Sequence, residues 1–216
     1  VCGVFMKLFN SQKSTVGRCC TLNDSLDAKR VCDILDIPFI TVDFREIFNN
    51  EVIDNFVSEY EKARTPNPCI KCNEKIKFNY LLKYALQAGF DALATGHYAR
   101  IEKNHSSFSL YKGIDIKKDQ SYFLFTLTND ILCKIYFPVG NYSKEEIRKI
   151  AEKANLPVYT KKESQEICFV EENKYYELFK KMGILGKRGQ ILGPENKTLG
   201  YHDGISHFTI GQRKGL

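Results

Sequence analysis

Short apolar runs and helically spaced apolar residues alternate along the first half of the chain. Runs at residues 1–9, 38–44 and 91–96 predict strands, the first of them buried. Between these runs, apolar side chains recur on one helical face, first over residues 24–35 and then over residues 53–60. Strands that alternate with helices in this way predict an α/β fold with a parallel, doubly wound sheet.

A proline-containing loop separates the second of these helices from a third. Residues 64–68 include two prolines, which do not fit into the interior of a helix. Helical spacing resumes over residues 73–88, and Gly89 is a typical residue at which a helix ends. The pattern therefore predicts that Cys69 and Cys72 lie just before the third helix.

The second half of the chain has a different pattern. It predicts a β-hairpin that turns at residues 104–106 and a mainly helical apolar run over residues 119–135. Ser143 and Glu146 have the spacing of a capping box, which predicts a helix over residues 144–154.

A small second module is predicted at the end of the chain. Residues 173–182 have the spacing of a short amphipathic helix, and residues 183–216 combine many glycines with short strand-like runs. We therefore predict a catalytic domain over residues 1–168 and an incomplete, β-rich central domain over residues 169–216. The chain starts on a strand-like run and ends on a loop-like one, so it is expected to be an internal piece of a longer protein.

Composition narrows the class of protein. The chain has 216 residues, of which 43% are hydrophobic and 27% are charged, as expected for a globular protein with a soluble core. No apolar run approaches the roughly 18 residues of a membrane span, so no membrane contact is expected. The net charge of +6 favours a polyanionic partner.

Three of the eight cysteines are expected to be structural. Cys2, Cys32 and Cys133 lie in apolar runs, where a thiol packs as a small hydrophobic side chain. Because the chain does not start with a signal peptide, a reducing, cytoplasmic compartment is expected rather than a secreted disulfide framework.

Three other cysteines are candidates for chemistry. Cys69 and Cys72 form a C-x-x-C pair, and Cys168 follows the polar stretch 164–166. A thiol at the N-terminus of a helix feels the positive end of the helix dipole, which lowers a thiol pKa and favours the reactive thiolate. Three nearby lysines would act in the same direction: Lys71, Lys75 and Lys77.

The number of thiols leaves two kinds of site open. A closed structural zinc site needs a fourth thiol or imidazole, whereas three thiolates suit an iron–sulfur cluster with one open iron. A structural metal-binding or redox role for the C-x-x-C pair is the alternative.

Several polar positions are weaker candidates. Gly96 and His97 close a short strand at its carboxyl end, where open α/β sheets bind ligands. Residues 118–120 form a polar cluster ahead of an apolar run. Basic residues set among glycines and aromatic residues either follow a phosphate backbone or form a solvated loop: Lys187, Arg188, Arg213 and Lys214.

Seven stretches together resemble the tRNA-uridine 2-sulfurtransferases, also called tRNA-specific 2-thiouridylases. They occur in the family's order and span nearly all of the chain: GVFMK, RTPNPCIKCNEKIKF, ATGHYAR, KKDQSYFL, FPVGNYSKEEIRKIAE, KESQEICFV and FTIGQRKGL. The resemblance implies an ATP pyrophosphatase with a Rossmann-like, PP-loop first domain of the adenine nucleotide alpha hydrolase-like type. A central domain and a C-terminal β-barrel would follow it.

The resemblance also implies roles for particular residues. Cys72 matches the family's nucleophile, and Cys168 matches the cysteine that carries persulfide sulfur. The loop that meets the target base is matched by Asn67, Pro68 and Cys69. The ATP-binding positions are matched by Met6 and Gly96, and the tRNA-contacting positions by His97, Lys118, Asp119, Gln120 and Gln212.

The chain departs from the family's pattern in two respects. A phosphate loop of the SGGVDS type is expected to precede Val1 and a barrel to follow the last residue, so this chain is expected not to activate its substrate unaided. Many members have aspartate at position 69. The cysteine found here makes Cys69, Cys72 and Cys168 alternative ligands of a [4Fe–4S] cluster whose open iron could hold hydrosulfide.

The implied reaction is ATP-dependent 2-thiolation of the wobble uridine of tRNA. ATP with Mg²⁺ would adenylate the C2 oxygen, and sulfur would then displace AMP at C2. The implied partners are the anticodon loops of the tRNAs for lysine, glutamate and glutamine, and a sulfur donor such as a cysteine desulfurase or a sulfur-relay protein. A persulfide relay would leave a disulfide between Cys72 and Cys168, whereas in the cluster version all three thiolates bind iron.

Other classes of function stay open from the sequence. The protein could be a C-x-x-C redox or metal-binding module, although thioredoxin-like proteins place that motif after a first strand rather than after a long helix and a proline loop. It could also be an ATP pyrophosphatase that acts on a small molecule, or an RNA-binding module without catalysis.

Overall fold

Parallel strands and helices build the first part of the molecule. The computed structural model describes residues 1–9, 21–161, 167–170, 175–182 and 186–214. Strand β1 (Gly3–Lys7) pairs in parallel with β2 (Phe39–Asp43), and helix α1 (Leu22–Ile34) lies between them in the chain. The α/β class predicted from the alternating pattern is confirmed.

Helix α1 starts where its sequence provides a capping box. The backbone N–H of Asp24 donates to the Thr21 hydroxyl at 3.2 Å, and the Thr21 N–H donates to the Asp24 carboxylate at 2.8 Å. These two bonds satisfy backbone donors that have no partner within the helix.

Two long helical stretches follow β2. The first consists of α2 (Arg45–Phe48), a wider π-helical segment (Asn49–Ile53) and α3 (Asp54–Glu61). The second consists of α4 (Pro68–Lys71), a π-helical segment (Cys72–Leu81) and α5 (Leu82–Gln87). Gly89, with a φ of +86°, follows the end of α5 as predicted.

The start of the second helical stretch differs from the prediction. The helix begins at Pro68 rather than near residue 73, so Cys69 and Cys72 lie inside it and not before it. Proline is favourable at the first helical position because its missing N–H would have no partner there. The second proline of the loop, Pro68, is therefore the first residue of the helix, and the helix does not wait until residue 73 to begin.

A second parallel pair and a hairpin form the middle of the chain. Strand β3 (Leu93–Ala94) pairs in parallel with β6 (Ile135–Tyr136). The predicted hairpin is confirmed: β4 (Ala99–Asn104) and β5 (Ser107–Lys112) are antiparallel, with His105 at a φ of 51° in the turn.

The prediction of a mainly helical run over residues 119–135 is wrong. The segment contains a 3₁₀ turn (Ser121–Phe123), the short helix α6 (Asn129–Leu132) and the start of β6. The Asp119 carboxylate accepts hydrogen bonds from the backbone N–H groups of Gly113 and Ser121. Such side-chain bonds to the backbone compete with regular helix formation.

The last elements follow the predicted pattern. Helix α7 (Lys144–Lys153) begins with the capping box of Ser143 and Glu146. The short helix α8 (Tyr175–Lys181) falls within the predicted range 173–182, of which 173 and 174 lie outside the described residues. Two antiparallel strands complete the β-rich module: β7 (Gly189–Leu192) and β8 (Thr198–His202).

Two hydrophobic clusters form the core. The main cluster includes Phe48, Ile76, Phe78 and Leu124, each almost fully buried. The second cluster joins α3 to later parts of the chain: Phe56, Val57, Tyr60, Val170 and Phe179. Ile53 and Phe169 border both clusters, so the two cores are continuous.

The three cysteines expected to pack in apolar surroundings have different environments. Cys32 is buried as predicted, and its sulfur lies so close to Gly3 that a Cβ at this glycine would collide with it. Cys2 is half-buried. Cys133 is exposed, and its thiol donates to the backbone carbonyl of Asp130, so the prediction for this residue is wrong. In the described ranges, no helix has the length and apolar character needed to cross a membrane.

Candidate functional site

The C-x-x-C pair lies in the first turns of a capped helix. The Asn67 side-chain oxygen accepts a hydrogen bond from the backbone N–H of Cys69 at 3.1 Å, and Pro68 is buried at the first helical position. Cys69 is exposed, whereas Cys72 is half-buried and packs against the main cluster. The predicted base-binding loop is therefore a helix N-terminus that presents one thiol to solvent and directs the other to the core.

Two of the lysines near the thiols interact with a carboxylate, that of Glu74, which was not part of the prediction. Glu74 accepts from Lys71 at 3.1 Å and forms an ion pair with Lys75 at 3.3 Å. Burial alone would raise the pKa of Glu74, but the hydrogen bonds from the two lysines outweigh it and lower that pKa. The spacing of three residues between Lys71 and Glu74 could have indicated the first of these two pairs.

Cys168 reaches the same core from a different part of the chain. It is half-buried in the turn 167–170 and, like Cys72, borders the main cluster. Its neighbour Phe169 packs edge-to-face on Phe48, with ring centroids 5.7 Å apart, and on Phe56 at 5.4 Å. These ring contacts hold the turn against the helical stretch Arg45–Glu61. The polar stretch 164–166 lies outside the described residues.

The three thiols do not assemble a metal site. Among the described residues, which include Cys69, Cys72 and Cys168, no three or more histidine, cysteine, aspartate or glutamate side chains are grouped so that they could hold a metal ion. The donor set expected for a [4Fe–4S] cluster therefore does not fit this conformation of the chain.

The carboxyl end of β3 combines an open glycine with a buried histidine. Gly96 is exposed, and a Cβ at this position would meet no atom of the described residues within 4 Å. His97 is buried, with Nδ1 at 2.7 Å from the Thr95 hydroxyl and Nε2 at 3.5 Å from the Lys77 ammonium. Burial, and secondly the charge of Lys77, lowers the pKa of His97 to about 3. The imidazole is neutral, and because an ammonium cannot accept, Nε2 carries the lone pair and Nδ1 the proton.

Met6 lies apart from Gly96 in the sheet arrangement. It is on β1, opposite Val42 of β2, and packs half-buried against the main cluster. The two positions matched to ATP binding thus belong to the two different parallel pairs.

The polar cluster at residues 118–120 closes a loop. Gln120 accepts from the Tyr98 N–H at 3.0 Å through its side chain and donates its own N–H to the Tyr98 carbonyl at 2.9 Å. Burial raises the pKa of Asp119, but hydrogen bonds from Gly113 and Ser121 prevail and lower it. Lys118 is half-buried, with its N–H bonded to the Asp115 carbonyl at 3.0 Å.

Asn73 links the thiol-bearing helix to the turn after this cluster. Its side chain is 3% exposed and donates to the Phe123 carbonyl at 3.3 Å, while its buried Oδ1 has no hydrogen-bond partner among the described residues. Neither Asn73 nor Tyr122, the neighbour of Phe123, was predicted from the sequence to be a site residue. A polar residue within an otherwise apolar helical face was the available signal.

Gln212 lies in a turn that reaches the proline loop. Its side chain accepts from the Thr209 N–H at 3.1 Å and donates to the Lys214 carbonyl at 2.8 Å. The neighbouring Ile210 N–H donates to the Thr65 hydroxyl at 3.1 Å. The segment that resembles the family's GQRKG loop therefore contacts the loop just ahead of Asn67.

The predicted basic cluster is exposed. The Arg188 guanidinium lies 4.9 Å from the centre of the Tyr201 ring, and both residues line a shallow groove with Gly189 and Gln190. The other members are also exposed: Lys187, Arg213 and Lys214.

Comparison with known protein families gives two matches along the chain. The model of the tRNA methyl transferase HUP domain matches residues 1–172, and that of the tRNA methyl transferase PRC-barrel domain matches residues 179–216. The HUP domain is a Rossmann-like PP-loop fold, which agrees with the parallel strands and the small second module described above.

Similar proteins cover almost all of the chain. The tRNA-specific 2-thiouridylase MnmA of Carboxydothermus hydrogenoformans is 45% identical over 100% of this chain and 61% of its own length. MnmA 2 of a Thermoanaerobacter species is 50% identical over 97% of the chain and 57% of its own length. MnmA of Geotalea uraniireducens is 47% identical over 100% of the chain and 60% of its own length. The chain thus spans about three fifths of these relatives. The resemblance drawn from the motifs is confirmed, and the chain belongs to the family of the tRNA methyl transferase HUP domain.

Proposed function

We propose that this chain is the thiol-bearing part of an enzyme that converts the wobble uridine of tRNA to 2-thiouridine. The similar proteins are named tRNA-specific 2-thiouridylases, and the sulfur chemistry of the chain suits 2-thiolation. The name of the matched family refers to methyl transfer. The cysteines of the chain favour sulfur transfer instead. Cys69 and Cys72 lie in the first turns of one helix, and Cys168 borders the same hydrophobic cluster as Cys72.

One observation carries the proposal more than any other. Cys72 and Cys168, far apart in sequence, border the same hydrophobic cluster, and ring contacts of Phe169 fix the turn that contains Cys168. Both thiols border one core, and sulfur exchange between them requires that they meet at a high effective concentration.

In the proposed relay, Cys168 carries a persulfide, and adenylation has already turned the C2 oxygen of the uridine into an AMP leaving group. The terminal sulfur attacks C2, and AMP leaves with the electron pair of the broken C2–O bond. The Cys72 thiolate then attacks Sγ of Cys168 and breaks the sulfur–sulfur bond, so that the sulfur stays on C2 with its electron pair. A Cys72–Cys168 disulfide forms, and an external dithiol reduces it before the next cycle.

The arrangement of the three thiols favours the persulfide relay over the iron–sulfur cluster mechanism. The cluster needs Cys69 together with the other two thiols, and no such group exists among the described residues. Cys69 is exposed at a helix start, where it suits contact with the extruded base. We therefore assign Cys69 with Asn67 and Pro68 to the base-binding surface.

The remaining assignments follow the same proposal. ATP would bind at the open carboxyl edge that contains Gly96, with Met6 on the other parallel pair, and Mg²⁺ would accompany its phosphates. His97, Lys118, Asp119, Gln120 and Gln212 would contact the anticodon arm of the tRNAs for lysine, glutamate and glutamine. A cysteine desulfurase or sulfur-relay protein would load Cys168 in the cytoplasm. Residues 1–168 would form the catalytic domain and residues 169–216 the start of the central domain.

Mass spectrometry of tRNA tests the proposal directly. A strain from which the gene is deleted should lose 2-thiouridine and regain it with the wild-type gene but not with Cys72→Ser or Cys168→Ser. Cys69→Ala should keep most of the activity with a persulfide donor, because the relay does not use that thiol as a ligand. Intact 2-thiouridine in the deletion strain would reject the proposal and leave a redox, metal-binding or small-molecule function.

A further inference from the structure

An exposed aromatic ring stands beside the C-x-x-C helix without a role in the relay. Tyr122 is 57% exposed, although it belongs to a 3₁₀ turn that packs on the core through Leu124. The ring of Phe123 lies against it, with centroids 3.8 Å apart and an interplanar angle of 36°. With this much open surface, the ring offers a flat apolar face on which a planar partner can stack.

The position of this ring is fixed by two sets of hydrogen bonds. Asn73 donates to the carbonyl of Phe123 at 3.3 Å and so joins the turn to the helix one turn above Cys69. On the other side, Asp119 accepts from the N–H and the hydroxyl of Ser121 at 3.2 and 2.9 Å. Tyr122 is therefore held between the polar turn 118–120 and the start of the thiol-bearing helix.

The electrostatics agree with this placement. Burial is the first cause that raises the pKa of Tyr122, followed by the negative charges that Cys69 and Asp119 carry when ionised. The phenol thus lies close enough to the Cys69 thiol for the two charges to interact. It keeps its proton at neutral pH and presents an uncharged, flat surface.

We propose that Tyr122 is the platform on which the extruded target uracil stacks, on the Cys69 side of the thiol pair. The inference rests on the proposed function and extends it by naming a positioning residue. Stacking on an aromatic ring is the common way in which proteins hold an unpaired base, and it works for any base because each has a π-face. The ring orients the pyrimidine so that C2 faces the sulfur carrier.

Binding of a fluorinated substrate tests the proposal. The probe is an anticodon stem-loop RNA with 5-fluorouridine at the target position, mixed with the full-length protein. Wild-type protein should shift the ¹⁹F resonance through the ring current, and Tyr122→Phe should keep both the shift and the affinity. Tyr122→Ala should lose the shift and weaken binding about tenfold, within the range expected for one base–aromatic stack.

A matched control separates stacking from general damage to the surface. Tyr84 is 41% exposed at the opposite end of the same helical stretch, and Tyr84→Ala should change neither the shift nor the affinity. Tyr122→Leu keeps an apolar side chain and should also lose the ¹⁹F shift. In steady-state assays, Tyr122→Ala should raise KM more than it lowers kcat.

The results for the Tyr122 variants can be told apart from a failure of the proposed function. If Tyr122→Ala or Tyr122→Leu retains the wild-type ¹⁹F shift, the stacking role is wrong even though the protein thiolates tRNA. An equal loss of affinity in Tyr122→Phe would overturn it as well, because the hydroxyl and not the ring would then make the contact. Absence of tRNA thiolation by the wild-type protein is a failure of the proposed function instead.

Discussion

Truncation of Phe169 should both destabilise the protein and separate the two thiols of the relay. The side chain is half-buried and makes two edge-to-face contacts, with Phe48 and Phe56. Each such pair contributes about 0.5–1.5 kcal/mol beyond the burial of apolar area. With the partial loss of burial added, Phe169→Ala should lower the free energy of unfolding by about 2–4 kcal/mol.

The functional part of this prediction concerns Cys168. Without the ring contacts, the turn that contains Cys168 is no longer held against the core. The rate at which a mild oxidant joins Cys72 and Cys168 should then fall several-fold in Phe169→Ala, because the effective concentration of one thiol at the other falls. Phe169→Leu keeps most of the apolar area and should show a smaller loss in both measurements.

Urea unfolding and mass spectrometry of the oxidised peptides measure the two effects. Phe90→Ala is a suitable control, because Phe90 is 40% exposed at the end of the second helical stretch. A double-mutant cycle with Phe56→Leu and Phe169→Leu should give a coupling energy of about 0.5–1.5 kcal/mol. If Phe169→Ala leaves both the unfolding midpoint and the cross-linking rate unchanged, the reasoning about the shared core is refuted.

Three further predictions concern single positions. Asn67→Ala should cost about 1 kcal/mol in urea unfolding through loss of the helix cap, and Asn67→Asp should restore most of it; equal stability of all three proteins would contradict the capping role. Because the pKa of His97 is lowered to about 3, its contribution to stability is present above the unfolded pKa of 6.5 and is lost as the pH falls toward 3. Wild-type stability should therefore fall over this range by up to about 1.4 kcal/mol per pH unit more than that of His97→Phe, and parallel curves would refute the assignment. Gly140→Ala should lower the melting temperature, since its Cβ would collide with the Ala99 carbonyl, whereas Gly96→Ala should leave it unchanged because that position is open; the reverse order would contradict the packing described here.

Local patterns in the sequence determined many elements correctly. The capping box at Ser143 specifies the start of α7, and Gly89 follows the end of α5, because both effects depend on a few neighbouring residues. The hairpin β4–β5 was likewise predictable from its two alternating runs. The parallel strands β1 and β2 were predictable from the alternation of apolar runs with helical faces, whereas β6 begins within a run predicted to be helical.

Features that depend on which side-chain hydrogen bonds form, or on contacts between distant residues, were not predictable in this way. The helix start at Pro68 depends on the Asn67 cap, and the broken run after residue 119 depends on bonds between Asp119 and Gly113. The cysteines of the candidate site were identified from their spacing and the family's motifs. Their shared core, the role of Asn73 and the exposed Tyr122 follow from packing that no spacing encodes.

The hydrogen bond between Ile210 and Thr65 couples the movement of two parts of the molecule. The two residues are 145 positions apart in sequence, and this bond directly links the turn of Gln212 to the loop that leads into the helix of Cys69. A force or displacement applied to the C-terminal turn is therefore transmitted to the start of that helix. The hydrogen-exchange rate of the Ile210 amide therefore reports whether the C-terminal turn and the loop ahead of the helix stay connected.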